Sequence, residues 1–274
     1  FTDGIKTIQN TRLMSRIMTS AHDLNCLILQ HAEDFELSKN GMINDGIIAT
    51  KLGLQGITDI AELIIIERDL TLLENISCRY HISQISSSKS VETIRRRKKR
   101  VKFTCGVSIN NLSLNENDIG DFKTFLKLSP PLRTEEDRVS LVQGLNDETI
   151  DVIVSDHKPE DEESKRLTFA QAATGASGIE TLLPLSLELF HNKSVKLETI
   201  IKAITSNPAK ILKINKGNLT IGNDADFCIV DINKPWILKK EKLVSKSKNT
   251  SIEDKRLQGK ILNTFVKGVE LFKL

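Results

Sequence analysis

Apolar positions along this chain follow two alternating rhythms. Short, nearly continuous apolar runs at 26–30, 79–85, 101–107 and 150–155 are too brief for helices and too unbroken for half-exposed strands. They read as strands covered on both faces. Between them, apolar residues recur at helical spacing: Ile5, Ile8, Leu13, Ile17 and Met18 predict a helix over 5–20, and Ile60, Leu63, Ile64 and Leu70 one over 59–74. Further helices are predicted over 90–100, 135–145, 179–190 and 197–205, and Pro208 takes the first helical position of another. Strand and helix in alternation predict a parallel α/β sheet. After residue 214 the pattern changes to short strands at 227–231, 261–266 and 269–272, with Gly268 turning the last hairpin. We therefore divide the chain into an α/β section, 1–214, and a small β appendage, 215–274, with a polar lysine-rich loop over 234–256.

Candidate chemistry gathers where predicted strands end, because in parallel sheets the loops after the strands project onto the open face. Val152-Ile153-Val154 delivers Asp156 and His157, followed by a long charged loop and the Gly175–Gly178 spacing before a helix. Asp156 alone could simply start a turn, but the loop and the glycines exceed what a turn requires. The 26–30 run delivers His31, with Glu33 and Asp34, to the corresponding end. A lone histidine usually bonds a backbone carbonyl, whereas this strand-end position makes His31 a ligand candidate. Alternation along a strand predicts that His81 faces away from Gln84.

Composition narrows the partners. With 274 residues and 39% hydrophobic content the chain can bury a sizeable core, and its net charge of +3 gives no global argument for nucleic acid or an anionic membrane. The one dense basic run, Arg95 to Arg100, reads as a solvated helix C-terminus without interleaved aromatics, so no nucleic-acid partner is expected. No apolar stretch approaches the roughly 18–20 residues of a membrane span. Cys26, Cys78, Cys105 and Cys228 are widely spaced, which predicts reduced thiols and a cytoplasmic protein. No signal peptide opens the chain, and Phe1 is not expected to be its native start.

Several segments resemble one family. Ser155-Asp156-His157, Phe169-Ala170-Gln171-Ala172 and Gly175-Ala176-Ser177-Gly178-Ile179-Glu180-Thr181 are similar to the Asp-His-Ala-Pro-His and Gly-x-x-Gly-Leu-Glu-Thr segments of the dihydroorotases, class I type, within the amidohydrolase superfamily. Phe1-Thr2-Asp3-Gly4, His31-Ala32-Glu33-Asp34, the 125–133 segment with Pro130-Pro131-Leu132-Arg133, and Gly217 to Asp226 extend the resemblance over nearly the whole chain. It implies an α/β fold, the C-terminal portion of a (β/α)8 TIM barrel of amidohydrolase type with a small β appendage. It also implies zinc-dependent hydrolysis or formation of the dihydroorotate ring amide in pyrimidine biosynthesis, with metal ligands at Asp3, His31 and Asp156, Asp156 as catalytic carboxylate and Gly175 at the substrate.

Departures from the family pattern concentrate in the site. Gln84 stands where the family has a ligating histidine, Asn110 and Asn111 where it has two histidines, Ser129 for a substrate-contacting asparagine, and Glu160 for a histidine that faces the substrate carboxylate. Ring-amide hydrolysis needs an activated hydroxide and a proton-carrying carboxylate. Zinc is therefore expected to be held weakly or not at all and this chain alone to be inactive, with Asp156→Asn neutral or stabilising through relief of repulsion with Glu160 and Asp161. Two readings follow: a dihydroorotase whose first half is cut off or separately encoded, or a non-catalytic dihydroorotase-like scaffold, a pseudoenzyme, partnering aspartate carbamoyltransferase. A hydantoinase or allantoinase is the weaker enzyme alternative. The apolar edges of a half barrel predict a homo-oligomer, or pairing with the missing half.

Overall fold

The computed structural model describes residues 1–274. Its first helix, α1 (Thr11–Asp23), starts six residues later than the periodicity predicts, because Asn10 caps it by accepting from the Leu13 N–H. The residues before it are drawn out along the loop after the first strand: Thr7 Oγ1 donates to the His31 carbonyl and accepts from the Glu33 N–H, and Gln9 Nε2 donates to the Glu33 carbonyl.

Strand β1 (Leu27–Gln30) is followed by α2 (Phe35–Ser38), β2 (Ile43–Asn44), α3 (Ile47–Leu52) and β3 (Gly56–Ile57), a short excursion in which β2 and β3 pair only with each other. Then come α4 (Ile60–Leu73), β4 (Arg79–Ile85), α5 (Ser88–Arg97), β5 (Thr104–Ser108), α6 (Ile109–Ser113), α7 (Glu135–Asn146) and β6 (Val152–Val154). Strands β1, β4, β5 and β6 form one sheet in that order, every pair parallel. Phe1 lies along the outer edge of β1, its amino group donating to the Leu27 carbonyl and its carbonyl accepting from the Leu29 N–H.

Ile82, Ile85, Cys105, Val107 and Ile153 from the sheet meet Met14, Met18, Ile66, Leu70, Val91, Ile94, Leu141 and Leu145 from α1, α4, α5 and α7 in one buried cluster. Each fully buried aliphatic side chain there contributes about 1.5–3 kcal/mol. No helix is long and apolar enough to cross a membrane.

The pairing of β4 with β5 corrects the expectation for His81. Its register runs His81 to Thr104 and Ile82 to Cys105, then Ile85 to Val107, so Ser83 and Gln84 together oppose Gly106. This bulge turns Gln84 onto the face that His81 already occupies, where His81 Nδ1 lies 2.8 Å from Thr104 Oγ1. Gly106 is required: a Cβ there would sit 2.6 Å from the Ser83 carbonyl oxygen.

Beyond β6 lie α8 (Glu162–Lys165), α9 (Leu182–His191), α10 (Leu197–Ile204) and α11 (Ser206–Leu212), in which Pro208 is the third residue rather than the first. The appendage is antiparallel, β7 (Phe227–Ile237), β8 (Arg256–Val266) and β9 (Val269–Lys273), its first two strands longer than predicted. Lys267 and Gly268 at φ 51° and 77° make the last turn. The segment between β7 and β8 is not a solvent loop. Leu238, Leu243 and Ile252 enter the main core, and Asn249 and Thr250 are buried.

Candidate active site

Asp156 follows β6 in the left-handed region, φ 49°, and its carboxylate is largely buried. Oδ1 accepts from Gln84 Nε2 at 2.9 Å, and Ser108 Oγ, from the end of β5, donates to Oδ2 at 3.4 Å. Burial raises the Asp156 pKa above the usual carboxylate value, and the bonds from Gln84 and Ser108 with the charges of His31 and Lys158 offset only part of that. The charges that bear on Asp156 thus favour its ionised form. The expected repulsion from Glu160 and Asp161 is replaced by attraction to Lys158, whose ammonium also lies 3.9 Å from Glu160 Oε1.

His31 is buried at the end of β1, with Nε2 3.4 Å from Ser129 Oγ and 3.6 Å from Glu33 Oε2. Burial works to raise the Glu33 pKa, but the hydrogen bonds of His31 and Ser38 and the charges of His31 and Arg133 outweigh it, so Glu33 lies below its ordinary value. Ser129, expected as a degenerate substrate contact, is thus a neighbour of His31.

The remaining residues singled out above are placed as follows. Asp3 is exposed, its side chain bonded to neither His31 nor Asp156, and the Asp3–Lys6 turn, with Gly4 at φ 67°, carries it aside. Asn110 is buried and accepts from Ser251 Oγ at 2.8 Å, while Asn111 donates to the Pro131 carbonyl at 2.9 Å. Asn110 thus joins α6 to the C-terminal segment, and Asn111 joins it to the 125–133 segment. Gly175 adopts φ 139°, and a Cβ there would lie 2.7 Å from the Lys158 carbonyl. A Cβ on Gly178 would lie 2.1 Å from the Ser155 carbonyl, and the Gly178 N–H donates to His157 Nδ1 at 3.1 Å. His157 therefore helps to fix the glycine loop through Nδ1.

Sequence reasoning missed what holds this loop. Lys165, 1% exposed, donates to the carbonyls of Ala173 (2.7 Å) and Gly175 (2.9 Å), and Lys127 to those of Phe169 and Ala170 at 2.9 Å. Burial pushes the Lys165 pKa down to about 8. Asn249 donates from Nδ2 to the Gly175 carbonyl, and its own carbonyl accepts from the Ser177 N–H. Ser247 Oγ donates to the Glu160 carbonyl. Glu160 is thus tied by its main chain to the C-terminal segment. No local signal marks a lysine that bonds only carbonyls.

Also missed was Glu62. It is buried and accepts from the N–H and hydroxyl groups of both Ser86 and Ser87 beyond β4, while Arg133 Nε donates to Ser86 Oγ at 3.1 Å.

A zinc centre takes four donors of imidazole, thiolate or carboxylate type, or three with an open position. Here no group of three or more His, Cys, Asp or Glu side chains converges. His31 with Glu33 beside it, and Asp156 apart, are the donors of suitable type, and the amide nitrogen of Gln84 already occupies Asp156 Oδ1. The side chains of this chain do not by themselves fit zinc.

An open parallel sheet with a carboxylate, an imidazole and a glycine loop at its C-terminal end defines a class, and the model of the Amidohydrolase family matches residues 5–271: the chain belongs to that family. Within it, the chain is 41% identical over 270 residues to the dihydroorotase of Ehrlichia canis (strain Jake), covering 98% of this chain and 60% of that protein. It is 40% identical over 275 residues to the dihydroorotase of Anaplasma phagocytophilum (strain HZ), covering 100% and 62%. The chain thus spans about 60% of the length of these curated relatives. Among solved structures, L-hydantoinase (dihydropyrimidinase) from Arthrobacter aurescens superimposes with a TM-score of 0.85 at 25% identity, over 99% of this chain and 62% of that one. The (β/α) barrel type of the sheet agrees with the expectation from sequence.

Proposed function

We propose that this chain carries the C-terminal part of a dihydroorotase-type site, directed at the ring amide of dihydroorotate in pyrimidine biosynthesis, and that its catalysis is impaired or lost. One observation carries this reading. At the position where the family resemblance calls for a metal-binding histidine, Gln84 instead donates an amide hydrogen to Asp156. A neutral amide is a poor zinc donor, and its hydrogen bond uses the lone pair a metal or a water proton would need. Asp156 is held by Gln84 and Ser108, and burial raises its pKa.

The test is hydrolysis of dihydroorotate with added zinc by the wild type, Gln84→His and Asp156→Asn. No turnover above background is expected in any of them, because groups acting as a unit are not restored one at a time. Wild-type turnover abolished by Asp156→Asn would overturn the reading.

A non-catalytic scaffold that partners aspartate carbamoyltransferase is the second reading. It is favoured by the contrast between the altered site positions Gln84, Ser129 and Glu160 and the retained buried glycines Gly175 and Gly178. Co-elution of the two purified proteins in size-exclusion chromatography tests it. The hydantoinase likeness supports a related cyclic-amide hydrolase only as a more distant alternative.

A further inference from the structure

At the N-terminal ends of β1, β4 and β5, the end of the sheet remote from Asp156, a cavity of about 1010 Å³ opens between the strands, the ends of α1 and α4, and α11. Six cationic side chains line it: Arg79, Lys98, Arg100, Lys102, Lys210 and Lys213. Its single lining carboxylate, Glu74, is engaged by Arg97 at 2.5 Å. Of the six cations only Lys98 has a carboxylate within 4 Å, Asp151 at 2.8 Å.

Arg79 is the most telling. It is half-buried, and its guanidinium donates to the main-chain carbonyls of Asn25 and Ile211 without any counter-ion. Carbonyl acceptors fix its direction but neutralise none of its charge. Lys213 is likewise placed by a neutral acceptor, Asn25 Oδ1 at 3.3 Å. Arg100, Lys102 and Lys210 stand exposed around the rim. Gathered like charges in a concave site raise the local concentration of anions, and a planar guanidinium suits phosphate oxygens in bidentate contact. The volume is ample for a small ligand, and buried Tyr80 and Phe103 give it an apolar floor.

We propose that this cavity is a binding site for a small polyphosphate, free or carried by a nucleotide, with Arg79 as its central anchor. Its position separates it from the amidohydrolase site, so it stands whether or not Asp156 takes part in any reaction.

Calorimetric titration of the full chain with inorganic tripolyphosphate and with ATP tests this. Saturable binding is expected, weakening as salt rises from low to physiological strength. Arg79→Ala should raise Kd by roughly tenfold or more, as loss of a charge-assisted bidentate contact does. The double variant Lys102→Ala/Lys210→Ala, two exposed cations of the rim, should raise it severalfold. Arg166→Ala, an exposed cation paired with Glu162 outside the cavity, should leave it unchanged. Equal affinity for both probes would assign the site to the polyphosphate alone, and tighter ATP binding to a nucleotide. Absence of saturable binding, indifference to both the Arg79 and the double variant, or equal weakening by Arg166→Ala would overturn the proposal.

Discussion

Glu62 and Asp156 are both carboxylates near the C-terminal ends of strands in one sheet, yet they are supported very differently. Glu62, 3% exposed, receives four donors from Ser86 and Ser87, and Arg133 closes the group from behind while also bonding Asn44 and the Ile57 carbonyl. Asp156 receives two donors from neutral side chains, one at 3.4 Å, and its pKa is raised. A carboxylate whose lone pairs are filled by the surrounding chain stabilises the fold, whereas one left short of donors contributes little.

The largest test of this contrast is Glu62→Ala. It strands four buried donors and the Arg133 cluster, and about 3–5 kcal/mol of stability should be lost. In a thermal melt followed by circular dichroism that corresponds to a fall of about 10 °C. A change below about 1 kcal/mol would erase the distinction.

Next in size is a pH effect on the face shared by Gln84 and His81. Burial, with the Lys98 charge nearby, depresses the His81 pKa to about 4 from its ordinary value of 6.5. Below 6.5 the unfolded chain takes up a proton that the folded one refuses until about pH 4. Stability linked to His81 is therefore complete above 6.5 and is lost as pH falls from there to about 4, by about 3 kcal/mol at most. Urea unfolding at pH 7 and pH 4.5 should show a smaller acid loss in His81→Gln than in the wild type.

Gly106→Ala should cost about 2 kcal/mol, since the new methyl meets the Ser83 carbonyl of the bulge and Val152 Cγ2. It should also displace Gln84 from Asp156, visible as a shift of the Gln84 side-chain amide resonance.

How much of this could be read from sequence follows from which interactions are local. The four buried strands were legible because Val152-Ile153-Val154 and its counterparts are self-evident apolar runs, and β4 was predicted with its observed ends. The faces of β4 were not legible, because the bulge at Ser83 and Gln84 arises from pairing with Gly106, 22 residues and more away in sequence. Asp156 and His31 could be picked out as strand-end polar residues, but Ser108, Lys127, Lys165 and Asn249 act through contacts 8 to 74 residues distant and resemble ordinary surface residues in sequence. The 238–255 segment read as polar because its few buried positions, Leu238, Leu243 and Ile252, have no regular period.

The smallest expected change is at Asp156 itself. Asp156→Asn keeps the Gln84 bond through its amide oxygen and can donate to Ser108, so stability at pH 7 should stay within about 1 kcal/mol of wild type or rise. Because the folded Asp156 pKa is raised, its ionisation costs stability as pH climbs through that folded value, and below the ordinary carboxylate value of 3.8 it costs nothing. The variant's advantage over wild type should therefore appear on the alkaline side of that window and vanish in acid.

The central claim is that the end of β6 holds a carboxylate without a metal centre in this chain, and zinc stoichiometry tests it most directly. After incubation with excess zinc and exhaustive dialysis, elemental analysis should find well under one zinc per chain, unchanged by His31→Ala. One tightly held zinc per chain, lost in His31→Ala and in Asp156→Asn, would contradict the account.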